Sequence, residues 1–140
     1  MLTFVSAVRA TRGAREYQED SALLWPGDDP FAPAPTGPFA TGERLLAILA
    51  DGMGGHAGGA LASRMACDHF LSSYAAQNGS IVSDLLDALA AANDAIAGKV
   101  EEEPLLSGMG STLVGAVFGG NELSCTDPTD LARLTALTVL

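Results

Sequence analysis

The order of apolar and polar positions divides this chain into a few short elements. Thr3 to Arg9 mixes apolar and β-branched residues and predicts a strand, and "SALLW" (Ser21 to Trp25) predicts another. Gly13 between them suits a turn, so the two are expected to pair as a hairpin. Pro26 to Pro38 holds five of the seven prolines, with Gly27, Asp28 and Asp29. Proline has no amide proton to give a ladder and presets turns, so this stretch predicts a surface loop. "RLLAILA" (Arg44 to Ala50) is a short apolar run bounded by turn residues. Its pattern alone fits a buried strand or part of a helix, and the glycines after it favour a strand that stops abruptly.

The period then changes. Gly59 to Gln77 is rich in helix formers, with Ala62, Met65, Ala66, His69 and Phe70 on one face. Asn78-Gly79 predicts a stop, and Ser80 an N-cap for a second helix through about Ala97. Ile81, Leu85, Leu89, Ala92 and Ile96 line one face of that helix, while Asp84, Asp87 and Asp94 lie off it. Gly98, the run Glu101 to Glu103 and Pro104 end it. "STLVGAVF" (Ser111 to Phe118) predicts another strand. After Gly119-Gly120 there is no clear strand alternation. The order strand, strand, loop, strand, helix, helix, strand predicts an α+β fold. Too few strands flank Ser111 to Phe118 to bury it, so the sheet is expected to be incomplete.

Composition adds boundaries. The 140 residues suit one domain, and 48% apolar with 17% charged residues is a globular composition. A net charge of −10 argues against a nucleic-acid surface, which would need a basic face. It suits cation binding, although most acidic surfaces are only solvated. Arg9, Arg12 and Arg15 gather three of the seven positive charges near one end, as an anion site or as ordinary solvated side chains. Cys67 and Cys125 form neither a disulfide framework nor a CxxC pair, which favours a reducing compartment. The start of the chain lacks the basic leader and long apolar region of a signal peptide, and no stretch predicts a membrane span. A cytoplasmic location is expected.

Two acidic stretches carry candidate chemistry. In "RGAREYQEDSALLW", Arg15 precedes Glu19 by four residues and Asp20 by five. In "LADGMGGH", Asp51 ends an apolar run and is followed by five glycines within eight residues. Hard cations such as Mg²⁺ and Mn²⁺ take carboxylate, carbonyl and water oxygens. Asp51 offers a carboxylate, and the bare backbone of Gly52 lets a carbonyl face the same point. A tight turn that needs glycine, with Asp51 as a cap for the next element, explains the stretch equally well. A phosphate loop is the weakest reading. "GMGGHAGG" is not GxGxxG, and Asp51 would repel a phosphate.

The patterns R-x-x-x-E-D-S, A-D-G-M-G-G-H-x-G-G-x-x-A-S and G-M-G-S-T-L occur here in that order. Together they resemble the metal-dependent serine/threonine protein phosphatases of the PP2C type, in their bacterial form, over about Thr3 to Phe118. The resemblance implies part of a four-layer α-β-β-α sandwich of antiparallel sheets flanked by helices. It implies a site at one edge of the sandwich with two Mn²⁺ or Mg²⁺ ions. Asp51 matches the aspartate that bridges both ions, and Gly52 the glycine whose carbonyl binds one of them. Glu19 and Asp20 match the acidic pair that holds metal-bound water or supports the ligands. Arg15 matches the arginine that binds the substrate phosphate. The implied chemistry is attack on phosphorus by a water whose pKa two metals lower, with charge on the phosphate oxygens met by Arg15.

There are departures. Gln18 stands where asparagine is usual and Ala60 where glutamate is common; Met53 is usual for the bacterial form. His56 is expected at the helix entry, not as a general acid, and His69 in packing or partly exposed. The later Gly-Asp-Ser stretch and two further aspartates of the family have no match, and Asp127 and Asp130 lack their signature. Residues 1–120 are therefore expected to be the N-terminal portion of a PP2C-like domain. Residues 121–140 are expected to be an unrelated tail, of the kind a shifted reading frame would give. The expected activity is hydrolysis of phosphoserine or phosphothreonine on proteins, the substrates being products of a serine/threonine kinase. The alternative is a catalytically dead module that binds partners, or itself, through an exposed sheet.

Overall fold

The computed structural model describes residues 3–126 and 137–139. Strand β1 (Asp20–Trp25) pairs antiparallel with β2 (Arg44–Met53), and β2 with β3 (Gly110–Gly119). The second edge of β3 carries two short strands. Strand β4 (Glu122–Cys125) pairs antiparallel with residues 116–119, and β5 (Leu137–Val139) pairs parallel with residues 111–113. Helix α1 (Gly37–Ala40) is a single turn; α2 (His56–Ala75) and α3 (Ile81–Glu102) are long. The α+β reading holds: the described residues form one sheet with helices on one of its faces.

Period-2 alternation sorts the sheet residues. Leu46, Ile48 and Ala50 of β2 and Leu113 and Val117 of β3 are buried. They meet Ala62, Ala66, Phe70 and Tyr74 of α2 in one core. Gly115 lies within this layer, where an added Cβ would sit 2.7 Å from Phe70 Cζ. The missing side chain is the space the Phe70 ring fills. Helix α3 buries Leu85, Ala88, Leu89, Ala92 and Ile96, and its capping Ser80 Oγ accepts from the Ser83 amide at 3.2 Å. The alternate residues Ala22, Leu24, Leu45, Ala47, Leu49, Val114, Ala116 and Phe118 fall on the opposite face, which no helix among the described residues covers.

Several expectations need correction. Thr3 to Arg9 forms no strand, and the hairpin with β1 is not made. The segment is held instead by the Phe4 amide on Gly42 O at 3.2 Å and by the Phe4 ring, 6.3 Å from Phe118. β1 pairs with β2 on one side, and Thr3 to Arg9 does not pair with its other edge. The proline loop is as expected for most of its length, tied down by Trp25 Nε1 donating to Pro33 O at 2.7 Å, but its end forms α1. Helix α2 starts at His56, three residues before Gly59, and α3 runs through Gly98 to Glu102. Glycine weakens a helix by only about 1 kcal/mol, which tertiary packing overrides. His69 is exposed. Beyond Gly120 the chain adds β4 and β5 to the sheet, although its pattern gives no strand signal. Asp127 and Asp130 lie outside the described residues.

Candidate functional site

The end of the β1–β2 ladder brings the two acidic stretches together. Asp20 and Asp51 are directly opposite in register. On the alternation above, both belong to the uncovered face. Antiparallel neighbours stand close enough for their side chains to interact, and like charges there repel. The effect appears at Asp20, whose carboxyl is held above its ordinary pKa. Burial contributes most, followed by the charge of Asp51 and a hydrogen bond with its side chain. Arg15 acts in the opposite sense, and Glu19 adds to the rise.

Arg15 is carried by a loop that the sequence folds on itself. Its amide donates to Arg12 O at 3.1 Å, Arg12 Nη1 to Glu16 O at 3.3 Å, and Gln18 Nε2 to Thr11 O at 3.4 Å. The Arg15 side chain is exposed.

Glu19 follows a different course from its neighbour. Its carbonyl accepts from the Gly52 amide at 3.0 Å, fastening the start of β1 to the end of β2. Its Oε1 is buried and, among the described residues, has no hydrogen-bond partner. This oxygen lies against the first turn of α2, where a Cβ on Gly59 would sit 2.5 Å from it. A Cβ on Gly52 would overlap Gly59 O and come within 2.8 Å of Glu19 O. Three backbones therefore meet at Gly52, where only glycine fits, and the Glu19 carboxyl fills the space beside Gly59. Gly55, with φ 67°, is the residue from which α2 departs.

Asp51 is fixed by residues to which sequence reasoning assigned no role. Its amide donates to Thr112 Oγ1 at 3.1 Å, and its carbonyl accepts from Ser111 Oγ at 3.1 Å. The Ser111 hydroxyl also reaches Thr112 O at 2.7 Å. The β2–β3 register is recorded at Leu49↔Val114 and Gly52↔Ser111 but not at the two positions between them. Side-chain hydroxyls stand in for the ladder there. "G-M-G-S-T-L" contains the signal, but a strand-start Ser-Thr pair does not name its partner across the sheet.

The structure thus joins Asp20, Asp51 and the charge of Arg15 at one point, with Gly52 beside them. Glu19 is adjacent but turned toward α2. Among the described residues no group of three or more His, Cys, Asp or Glu side chains is placed to hold a metal ion. Facing carboxylates and a buried unpartnered carboxyl oxygen are nevertheless the hard oxygen donors that suit a divalent cation. No helix among the described residues is long and apolar enough to cross a membrane.

No protein-family model matches the chain. Over 85 residues it is 48% identical to the serine/threonine protein phosphatase PstP of Mycobacterium tuberculosis, covering 59% of this chain and 16% of that protein. A crystal structure of the same phosphatase superposes with a TM-score of 0.57 at 38% identity, over 79% of this chain and 40% of that one. The PstP catalytic domain in complex with two manganese ions gives a TM-score of 0.54 at 38% identity, over 79% and 41%. Serine/threonine phosphatase Stp1 from Staphylococcus aureus, at 18% identity and a TM-score of 0.60 over 91% and 56%, shares the fold. The chain thus spans less than two thirds of these relatives. By sequence motif, by identity over the shared part and by fold, the chain is similar to part of the bacterial serine/threonine protein phosphatases.

Proposed function

We propose that Asp51, Asp20 and the carbonyl of Gly52 hold a divalent cation, with Glu19 as the supporting carboxyl, in the service of phosphoserine and phosphothreonine hydrolysis on proteins. The observation that carries this reading is the in-register pair Asp20–Asp51. Two carboxylates that face each other across a ladder repel, and a cation between them relieves that repulsion. The buried Oε1 of Glu19 supplies a further oxygen in want of a partner. Mn²⁺ or Mg²⁺ fits these donors, and two ions accord with the manganese complex of PstP.

When bound, the metal supplies a Lewis acid that polarises phosphate oxygens and lowers the pKa of water. The chain's residues do the rest. Asp20 and Asp51 would offer their carboxylate oxygens to the cation. Arg15 reaches from its exposed loop, and its planar fork matches two phosphate oxygens at once. Substrates of this reading are phosphoproteins made by a serine/threonine kinase, in a cytoplasmic setting.

The test is hydrolysis of a phosphothreonine peptide by the 140-residue chain with Mn²⁺ or chelator, beside Asp51→Ala and Arg15→Ala. Manganese-dependent turnover lost in Asp51→Ala, and a raised KM in Arg15→Ala, support the reading. No turnover by a folded chain contradicts the hydrolytic part of it.

A second reading has its own observation. The uncovered sheet face is apolar, and Leu49 near its centre is 52% exposed. Such a face suits self-association or a binding module that needs no metal. Partner binding that survives Asp51→Ala and is lost in Leu49→Asp favours it.

A further inference from the structure

We infer that Thr112 and Ser111 are positioning residues for Asp51, a role that rests on the cation reading above. The geometry is specific. Both backbone groups of one aspartate are taken by the hydroxyls of two consecutive residues on the neighbouring strand, at 3.1 Å each. Neither hydroxyl belongs to the reacting chemistry. Ser111 is fully buried, and its single proton is shared between two carbonyls, those of Asp51 and Thr112.

An ordinary ladder would treat Asp51 differently. Directly opposite residues exchange backbone bonds or lie between such exchanges. Here Thr112 Oγ1 receives the Asp51 amide, and the serine hydroxyl donates to the Asp51 carbonyl. Register pairs flank this point on both sides, at Leu49↔Val114 and Gly52↔Ser111. The opening is therefore local, and the hydroxyls hold it. It sets the Asp51 backbone while β1 sets Asp20, which fixes how the two carboxylates face each other. Ligand orientation by outer hydrogen bonds is a common requirement of metal sites. Thr112→Val keeps the shape of the side chain but removes the acceptor. The Asp51 amide then loses its partner, or the strands close and carry Asp51 with them.

The experiment measures Mn²⁺ affinity by calorimetry for the chain, Thr112→Val, Thr112→Ser and Asp51→Ala, with melting temperature as a control. Loss of an outer partner typically costs 10- to 100-fold in metal affinity, so Thr112→Val is expected to weaken binding at least about tenfold. Thr112→Ser, which keeps the acceptor, is expected to bind as the parent does. A merely structural threonine would change melting temperature in both variants and affinity in neither. Parent-like Mn²⁺ affinity in Thr112→Val, with Asp51→Ala impaired, overturns the inference and leaves the cation reading standing. Should Asp51→Ala bind as the parent does, the cation reading fails. Amide exchange in the metal-free chain then decides the clasp. Faster exchange at Asp51 in Thr112→Val, with the Gly52 amide unchanged, supports it, and an unchanged Asp51 amide overturns it.

Discussion

Asp20 and Asp51 face each other across the β1–β2 ladder, at the end where β2 gives way to the glycines that lead into α2. Two acids thirty-one positions apart in the chain share one point because an antiparallel register puts them there. Burial first, and then the charge of Asp51, make Asp20 hold its proton more tightly than an ordinary aspartate.

The raised pKa of Asp20 predicts a pH dependence. Because the folded pKa of Asp20 is raised, the folded chain keeps a proton that the unfolded chain has already released. Stability from this group is therefore complete in acid and falls as pH rises through the ordinary carboxylate value toward the raised one. Asp20→Asn removes the cost. Without divalent cations the variant is expected to be the more stable at neutral pH, with the advantage vanishing in acid. With Mn²⁺ the order should invert, because the parent gains a ligand that the variant holds poorly. Chemical denaturation at several pH values, with and without Mn²⁺, checks both parts.

The contact of Glu19, Gly52 and Gly59 predicts a steric hierarchy. Gly59→Ala meets the end of a side chain, which can give way. Overpacking of this kind costs about 1–3 kcal/mol. Gly52→Ala meets backbone from α2 and from Glu19, which cannot give way without moving an element. It is expected to destabilise more than Gly59→Ala. Urea unfolding of the two variants measures the order.

The uncovered sheet face predicts self-association. Leu49→Asp places a charge near its centre and is expected to shift sedimentation equilibrium toward monomer. An unchanged mass distribution would remove the face as an interface.

Legibility in the sequence varies with the kind of interaction. Strands β1, β2 and β3 and both long helices emerge from local pattern, because each buries a face with its own period. The N-terminal strand does not form: Thr3 to Arg9 has the right residues, yet the segment is held at Gly42 and Phe118 and leaves the free edge of β1 unpaired. Strands β4 and β5 escape the pattern because β3 supplies their pairing, and their own residues give weak alternation. At the site, Arg15, Glu19, Asp20, Asp51 and Gly52 stand out in the sequence motifs. The different direction of Glu19, the closeness of Gly59 and the hold of Ser111 and Thr112 on Asp51 do not. Each depends on contacts between elements, which no window of sequence contains.

The central claim is that the Asp20–Asp51 pair is a cation site. Titration of the metal-free chain with Mn²⁺, beside Asp51→Ala, tests it most directly. The account predicts saturable binding that is lost in Asp51→Ala. Binding of equal strength in both proteins, or none in a folded parent chain, would contradict it.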